Sequence, residues 1–122
     1  MLVDSNILIY ACQVRHGYLR QFIEANMPSV SVISKVETFG YHHLPDREKE
    51  DLGSFFGAVR ILLISERIAD QAILLRQQRL MSLGDSLIAG TALAYGLTLV
   101  THNVQDFEWI DTLNLLDPVE RH

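Results

Sequence analysis

The sequence is short of several things. Its one cysteine, Cys12, has no partner within the chain, so no internal disulfide forms, which fits a reducing cytoplasm. No apolar run approaches the roughly 18 residues a membrane helix needs, so no membrane span is expected. Residues 1–11 lack a basic segment and a small-residue cleavage site, and no secretory leader is expected. Lysine is scarce, with only Lys35 and Lys49, and the formal net charge is -5. Nucleic-acid binders tend to be basic. A chain this acidic suits an anionic polymer only where bound cations offset clustered carboxylates. Repeats, low-complexity tracts and linkers are absent too. What remains is 48% hydrophobic and 20% charged over 122 residues, a single domain spanning residues 1–122 with enough chain for a real core.

The most informative stretch runs from Gly84 to Phe107. Leu87, Ile88, Thr91, Ala92 and Tyr95 recur on one helical face, and Gly96 is placed to stop that helix in the left-handed conformation. Leu97 to Val100 then reads as a short buried strand. Helix and strand of such a unit run antiparallel, so the helix start and the strand end share one edge. Asp85 stands at the start, and Thr101, Asn103 and Asp106 follow the end.

Earlier residues repeat the alternation. Met1 to Asp4 is expected as a strand and Asn6 to Gln13 as a helix, with Gly17 breaking the pattern before a second apolar face through Tyr18, Leu19, Phe22 and Ile23. Val30 to Ile33 alternates and is β-branched, a strand. A helix follows at Ser34, with Val36, Phe39 and Gly40 inward and His42 and His43 near its end. Pro45 opens a further helix whose stripe is Leu52, Phe55, Phe56 and Val59. Arg60 to Ile64 is a third strand, Ser65 caps a helix from Glu66 to about Leu80, and Leu113 to Leu116 is a last edge strand before a polar tail. Strands alternating with helices predict a three-layer α/β/α fold around a parallel sheet of four or five strands.

In such a sheet the functional crevice lies beyond the carboxyl ends of the strands. Asp4, Glu37, Asp85 and Asp106 all fall there. Each has a bland reading: Asp4 as a helix cap, Ser34-x-x-Glu37 as a capping box, Asp85 as a partner of a helix dipole, Asp106 as turn chemistry. Their common edge outweighs the separate accidents. Four acids brought together repel one another and either raise their pKa values or hold divalent metal. Oxygen-only ligands suit Mg²⁺ or Mn²⁺ better than Zn²⁺, and a hard cation held by carboxylates is the apparatus of phosphodiester hydrolysis.

Asp4-Ser5-Asn6, Glu37, Asp85-Ser86-Leu87-Ile88-Ala89 and Thr101-x-Asn103-x-x-Asp106-Phe107, in that order and at those separations, resemble the PIN-domain nucleases, and among them the VapC-like toxins of toxin–antitoxin pairs. The resemblance runs from residue 1 to about residue 110. It implies a compact α/β/α fold and an Mg²⁺- or Mn²⁺-dependent endoribonuclease whose metal-activated water hydrolyses RNA. A homodimer and a small cognate antitoxin are implied as well. Residue by residue, Asp4, Glu37, Asp85 and Asp106 match the acidic metal ligands, and Ser5, Asn6, Thr101 and Asn103 the polar residues supporting them. Ser5 stands where Thr is more usual, keeping the hydroxyl. Gly84 stands where Pro is common, which loosens the helix start.

Other residues carry less. His42 and His43 are adjacent and read as surface histidines, His102 as a turn residue, Cys12 as a small core residue. Arg15, His16 and Arg20 after the first helix, and Arg76 with Arg79 on a later one, are candidates for RNA backbone contact. Phe55 and Phe56 are hard to hide together, and one marks a surface for another chain. A PIN-like scaffold or RNA-binding module without catalysis is the alternative, and it predicts a missing acid. A phosphoacceptor domain wants paired acids after the first strand, whereas Asp4 is unpaired.

Overall fold

A computed structural model describes residues 1–120; the last two residues of the polar tail lie outside that range. The elements are β1 (Leu2–Val3), α1 (Ser5–Ala11), a 3₁₀ turn (Val14–His16), α2 (Gly17–Asn26), β2 (Ser29–Ser31), α3 (Val32–Phe39), α4 (Asp46–Ala58), β3 (Ile61–Leu62), α5 (Glu66–Gln78), α6 (Leu83–Tyr95), β4 (Leu99–Val100), α7 (Val104–Phe107) and β5 (Leu115–Leu116). All five strands are parallel in the order β3-β2-β1-β4-β5. The chain builds outward from β1 to one side and then returns to build the other. The reversal falls between β1 and β4, where an open α/β sheet forms its crevice.

Alternate residues of a strand face opposite sides of a sheet, and this divides the interior in two. Val3, Val30 and Val100 face a core with Ile7, Leu8, Leu19, Ile23, Leu52 and Phe56 from α1, α2 and α4. Leu2, Leu62 and Leu99 face a core with Leu75, Ile88, Ala89 and Ala92 from α5 and α6, and with Phe107. These are the three layers expected. Local chemistry ends the elements as the sequence suggests: Ser65 accepts from the Ile68 amide at the start of α5, and Gly96 ends α6 at φ 63°, a conformation that penalises any Cβ.

Three expectations change, and one open choice, between Phe55 and Phe56, is decided. Val32 and Ile33 belong to α3 and not to β2, because Ser31 caps that helix through its hydroxyl and the Ile33 amide. The Ser34-Glu37 capping box therefore does not exist. Val36 is 65% exposed and Gly40 is also outside, while Ser34 and Thr38 face inward; shifting the helix start by three residues rotates the buried face. His42 and His43 lie in a turn after α3 and not on a helix, although both are on the surface as expected. Phe56 is buried at 6% exposure, and Phe55 is the partly exposed one of the pair.

Candidate active site

Asp4 follows β1 directly. Its carboxylate caps α1, with Oδ1 accepting from the Ser5 amide at 2.8 Å and Oδ2 accepting from the Thr101 hydroxyl at 2.8 Å. Thr101 follows β4, the neighbouring strand, and its hydroxyl also receives the Asn103 amide at 3.1 Å. Parallel register thus sets Asp4 beside Thr101, and the side chains complete the link. The bland reading of Asp4 as a cap holds, and it does not compete with a second role.

Glu37 stands on α3, where Ser5 Oγ donates to Glu37 Oε1 at 2.8 Å and lies 3.0 Å from Ser34 Oγ. Ser5 therefore joins the two elements that carry Asp4 and Glu37. Asp85 is the third residue of α6, not its first. Ser82 is the cap, and its hydroxyl accepts from the Asp85 amide at 3.1 Å. Gly84 has a role the sequence did not suggest: a Cβ there would lie 2.9 Å from Glu37 Oε2. The missing side chain lets the Glu37 carboxylate lie against the first turn of α6. Asp106 lies on α7, just past β4.

The electrostatics tie these acids together. The Asp4 carboxyl is pushed up to about 6, chiefly by burial, with the negative charges of Asp85 and Glu37 adding to the shift and the bonds from Thr101 and Ser5 opposing it. Asp85 is also raised, by burial first, then by Asp106, and last by Glu37, against the Ser82 bond. Among the described residues, no lysine or arginine figures among the charges acting on either group. Asp85 is the group that feels or affects all the others. Among the described residues, no three Asp, Glu, His or Cys side chains stand close enough to hold one ion directly. Donor chemistry nevertheless fits a hard cation: every donor is oxygen, and among the described residues no side-chain cation balances Asp4 or Asp85. The Asn6 side-chain amide is buried in the first turn of α1, with neither atom partnered among the described residues.

The candidate arginines scatter. Arg15 is exposed on the 3₁₀ turn and bonded to Gln13. Arg20 pairs with Asp51 at 2.9 Å, on α4 and away from the acids. Arg76 is exposed near the end of α5, and Arg79 lies over the Trp109 ring at 5.6 Å. Trp109 in turn donates to the Asp106 carbonyl, so of these only Arg79 is linked by contacts to a candidate acid. Sequence reasoning missed Ser34 and Asp117. The second was findable, since Asp117 follows an apolar strand as Asp4 does.

A separate apolar groove of about 330 Å³ lies between α1, α2 and α4. Leu8, Cys12, Ile23, Met27 and Phe55 line it, with the Arg20–Asp51 pair at its rim. It contains none of the four acids. Burial pushes the Cys12 thiol up to about 11, with Asp51 and Glu48 adding to the rise and Arg20 opposing it, so it is a packing residue and not a nucleophile. No helix among the described residues is long and apolar enough to cross a membrane.

The PIN domain family profile matches residues 1–112. Among solved structures, a toxin–antitoxin complex from Klebsiella pneumoniae contains a chain 30% identical, with a TM-score of 0.75 and 98% of each chain covered. VapBC-1 from nontypeable Haemophilus influenzae is 26% identical, at TM-score 0.73, with 95% of this chain and 96% of that one covered. VapBC2 from Rickettsia felis, bound to a promoter DNA fragment, is 24% identical at TM-score 0.82, with coverage of 94% and 96%, and speaks for the fold alone. No curated protein sequence matches closely enough to count as a relative. With most of its length inside one profile and a 30% identical counterpart aligned over nearly all of both chains, this chain belongs to the PIN-domain family.

Proposed function

We propose that this protein is a divalent-metal-dependent endoribonuclease and the toxin of a type II toxin–antitoxin pair. One observation carries the reading. Acids drawn from four distant parts of the chain meet at a single sheet edge, where Asp85 and Glu37 act on Asp4 and Asp106 and Glu37 act on Asp85, and among the described residues no cationic side chain figures among the charges on either. Asp4 and Asp106 would hold Mg²⁺ or Mn²⁺, with Asp85 sharing it directly or through water and Glu37 binding a second ion or orienting the attacking water. When bound, such an ion makes a water acidic and neutralises charge on the phosphate under attack.

The protein's own groups supply position. Thr101 and the Ser5 amide fix both oxygens of Asp4, and the Ser5 hydroxyl holds Glu37 in one orientation. These bonds settle the geometry before substrate arrives, which is the economical form of electrostatic catalysis. In-line attack on an RNA phosphate would leave a 5′-phosphate and a 3′-hydroxyl.

A small cognate antitoxin is the partner, in keeping with the toxin–antitoxin complex whose chain is 30% identical. The groove edged by Phe55 offers it an apolar seat. Homodimerisation is supported by apolar side chains left outside on α5, α6 and the loop between them: Ile73, Leu74, Leu80 and Leu83. A cytoplasmic site of action belongs to the same reading.

Incubating the purified protein with tRNA and rRNA, with and without Mg²⁺ and Mn²⁺, tests the reading, with Asp85→Ala as control. Cleavage that needs metal and disappears in the variant is the expected result. Intact RNA under every condition, or equal cutting by the variant, overturns it.

A further inference from the structure

The strand register that sets Asp4 beside Thr101 extends one strand further. Leu2, Leu99 and Leu115 are in register, as are Val3, Val100 and Leu116. The residues that follow, Asp4, Thr101 and Asp117, therefore form a row across the carboxyl edge, and the Thr101 amide donates to the Leu116 carbonyl at 2.9 Å. Two strand spacings put Asp117 about 10 Å from Asp4. His102, next to Thr101, turns to Asp117: its Nδ1 lies 3.2 and 3.1 Å from the two carboxylate oxygens.

An ionised carboxylate only accepts hydrogen bonds, so Nδ1 carries the proton and Nε2 is the nitrogen left over. Nε2 has no partner among the described residues, and the side chain is 40% exposed. The ring is not loose. Tyr10 packs against it edge-on at 5.8 Å and also lies against His16 at 5.2 Å. Asp117 is fixed in turn by the Val119 amide at 3.0 Å. A polar ring thus stands aimed and open beside acids that repel an RNA chain.

We propose that His102, aimed by Asp117, contacts the substrate, its Nε2 binding a backbone phosphate that flanks the one cleaved. This rests on the nuclease reading above. An imidazole held through Nδ1 by a carboxylate presents Nε2 to a phosphate oxygen as a hydrogen-bonding partner, just beyond the acidic cluster. The competing account is a latch that only ties residues 117–119 to the sheet.

Cleavage and binding of a fluorescein-labelled oligoribonucleotide in Mn²⁺ buffer separate the two, using the full chain, His102→Ala, His102→Arg and Asp117→Asn, each with its melting temperature. His102→Ala is expected to raise KM and Kd about tenfold with kcat within about twofold, and to lower the slope of log affinity against log salt by about 0.7. His102→Arg, which still reaches both anions, should restore most of the affinity, and Asp117→Asn should fall between. A lower melting temperature in His102→Ala with unchanged KM, Kd and salt slope means a latch and overturns the inference while the nuclease reading stands. If the parent neither binds nor cuts RNA, both fall together.

Discussion

The carboxylate edge and the apolar groove are opposite kinds of surface on one small domain. At the edge, polar groups hold one another in fixed positions, and burial acts against the charge of Asp4 and Asp85. In the groove, the lining is mostly apolar and the rim charges, Arg20 and Asp51, already satisfy each other. Under the proposed function the edge would take a cation and the groove an apolar face of a partner. The first is expected to answer to metal and pH, the second to a protein partner, and the two should be separable by mutation.

The sharpest break is at Asp4. Asp4→Asn keeps the shape, with its carbonyl still able to accept from Ser5, but removes the charge. Cleavage should fall at least about 100-fold, beyond the roughly 10–100-fold that loss of a ligand's supporting partner costs. Stability should move the other way. A carboxyl raised from 3.8 to about 6 on folding contributes stability that is fully present below about pH 4 and lost as pH rises through about 6. Metal-free protein should therefore gain up to roughly 3 kcal/mol from this group between pH 8 and pH 4, with Asp85 acting in the same direction. Asp4→Asn should flatten that dependence in urea titrations at the two pH values.

Next in size is the groove. Phe56→Lys buries a charge among Phe39, Phe55 and the core and should leave little folded protein. Phe55→Glu should fold, weaken antitoxin binding by about tenfold or more, and cleave RNA as the parent does. Loss of cleavage alongside loss of partner binding would show the two regions to be coupled. Thr101→Val removes one bond from Asp4 and leaves its charge buried, so Mn²⁺ affinity by calorimetry should drop roughly 10-fold or more. Gly84→Ala is the mildest. Helix propensity favours it by about 1 kcal/mol, but the new methyl pushes the Glu37 carboxylate, and cleavage should change only a few-fold.

Much of this was legible in the residues because periodicity and topology do most of the placing. The layers, the parallel sheet of four or five strands and the edge shared by Asp4, Glu37, Asp85 and Asp106 all follow from alternating patterns and from the antiparallel run of helix and strand. What failed was local. Ser31 and Ser34 both look like caps, and choosing the second rotated α3 and wrongly buried Val36. Phe55 and Phe56 differ by one residue on one helix, and only the packed helix shows which points inward. Gly84 reads as a weakness until Glu37 is seen against it. Asp117 read as tail although it follows an apolar strand as Asp4 does; its place in the row with Asp4 and Thr101 shows only once β5 is paired with β4.

The bond from Thr101 to Asp4 joins residues 97 positions apart, and β1, the middle strand, lacks one of its neighbours until β4 has been made. A ribosome must therefore release nearly all of this chain before the acids can assemble. Nascent fragments ending at Gly96 carry Asp4, Glu37 and Asp85 and should still cut nothing. If the chain is the endoribonuclease proposed above, the order of its strands would keep it harmless to the machine that is translating it.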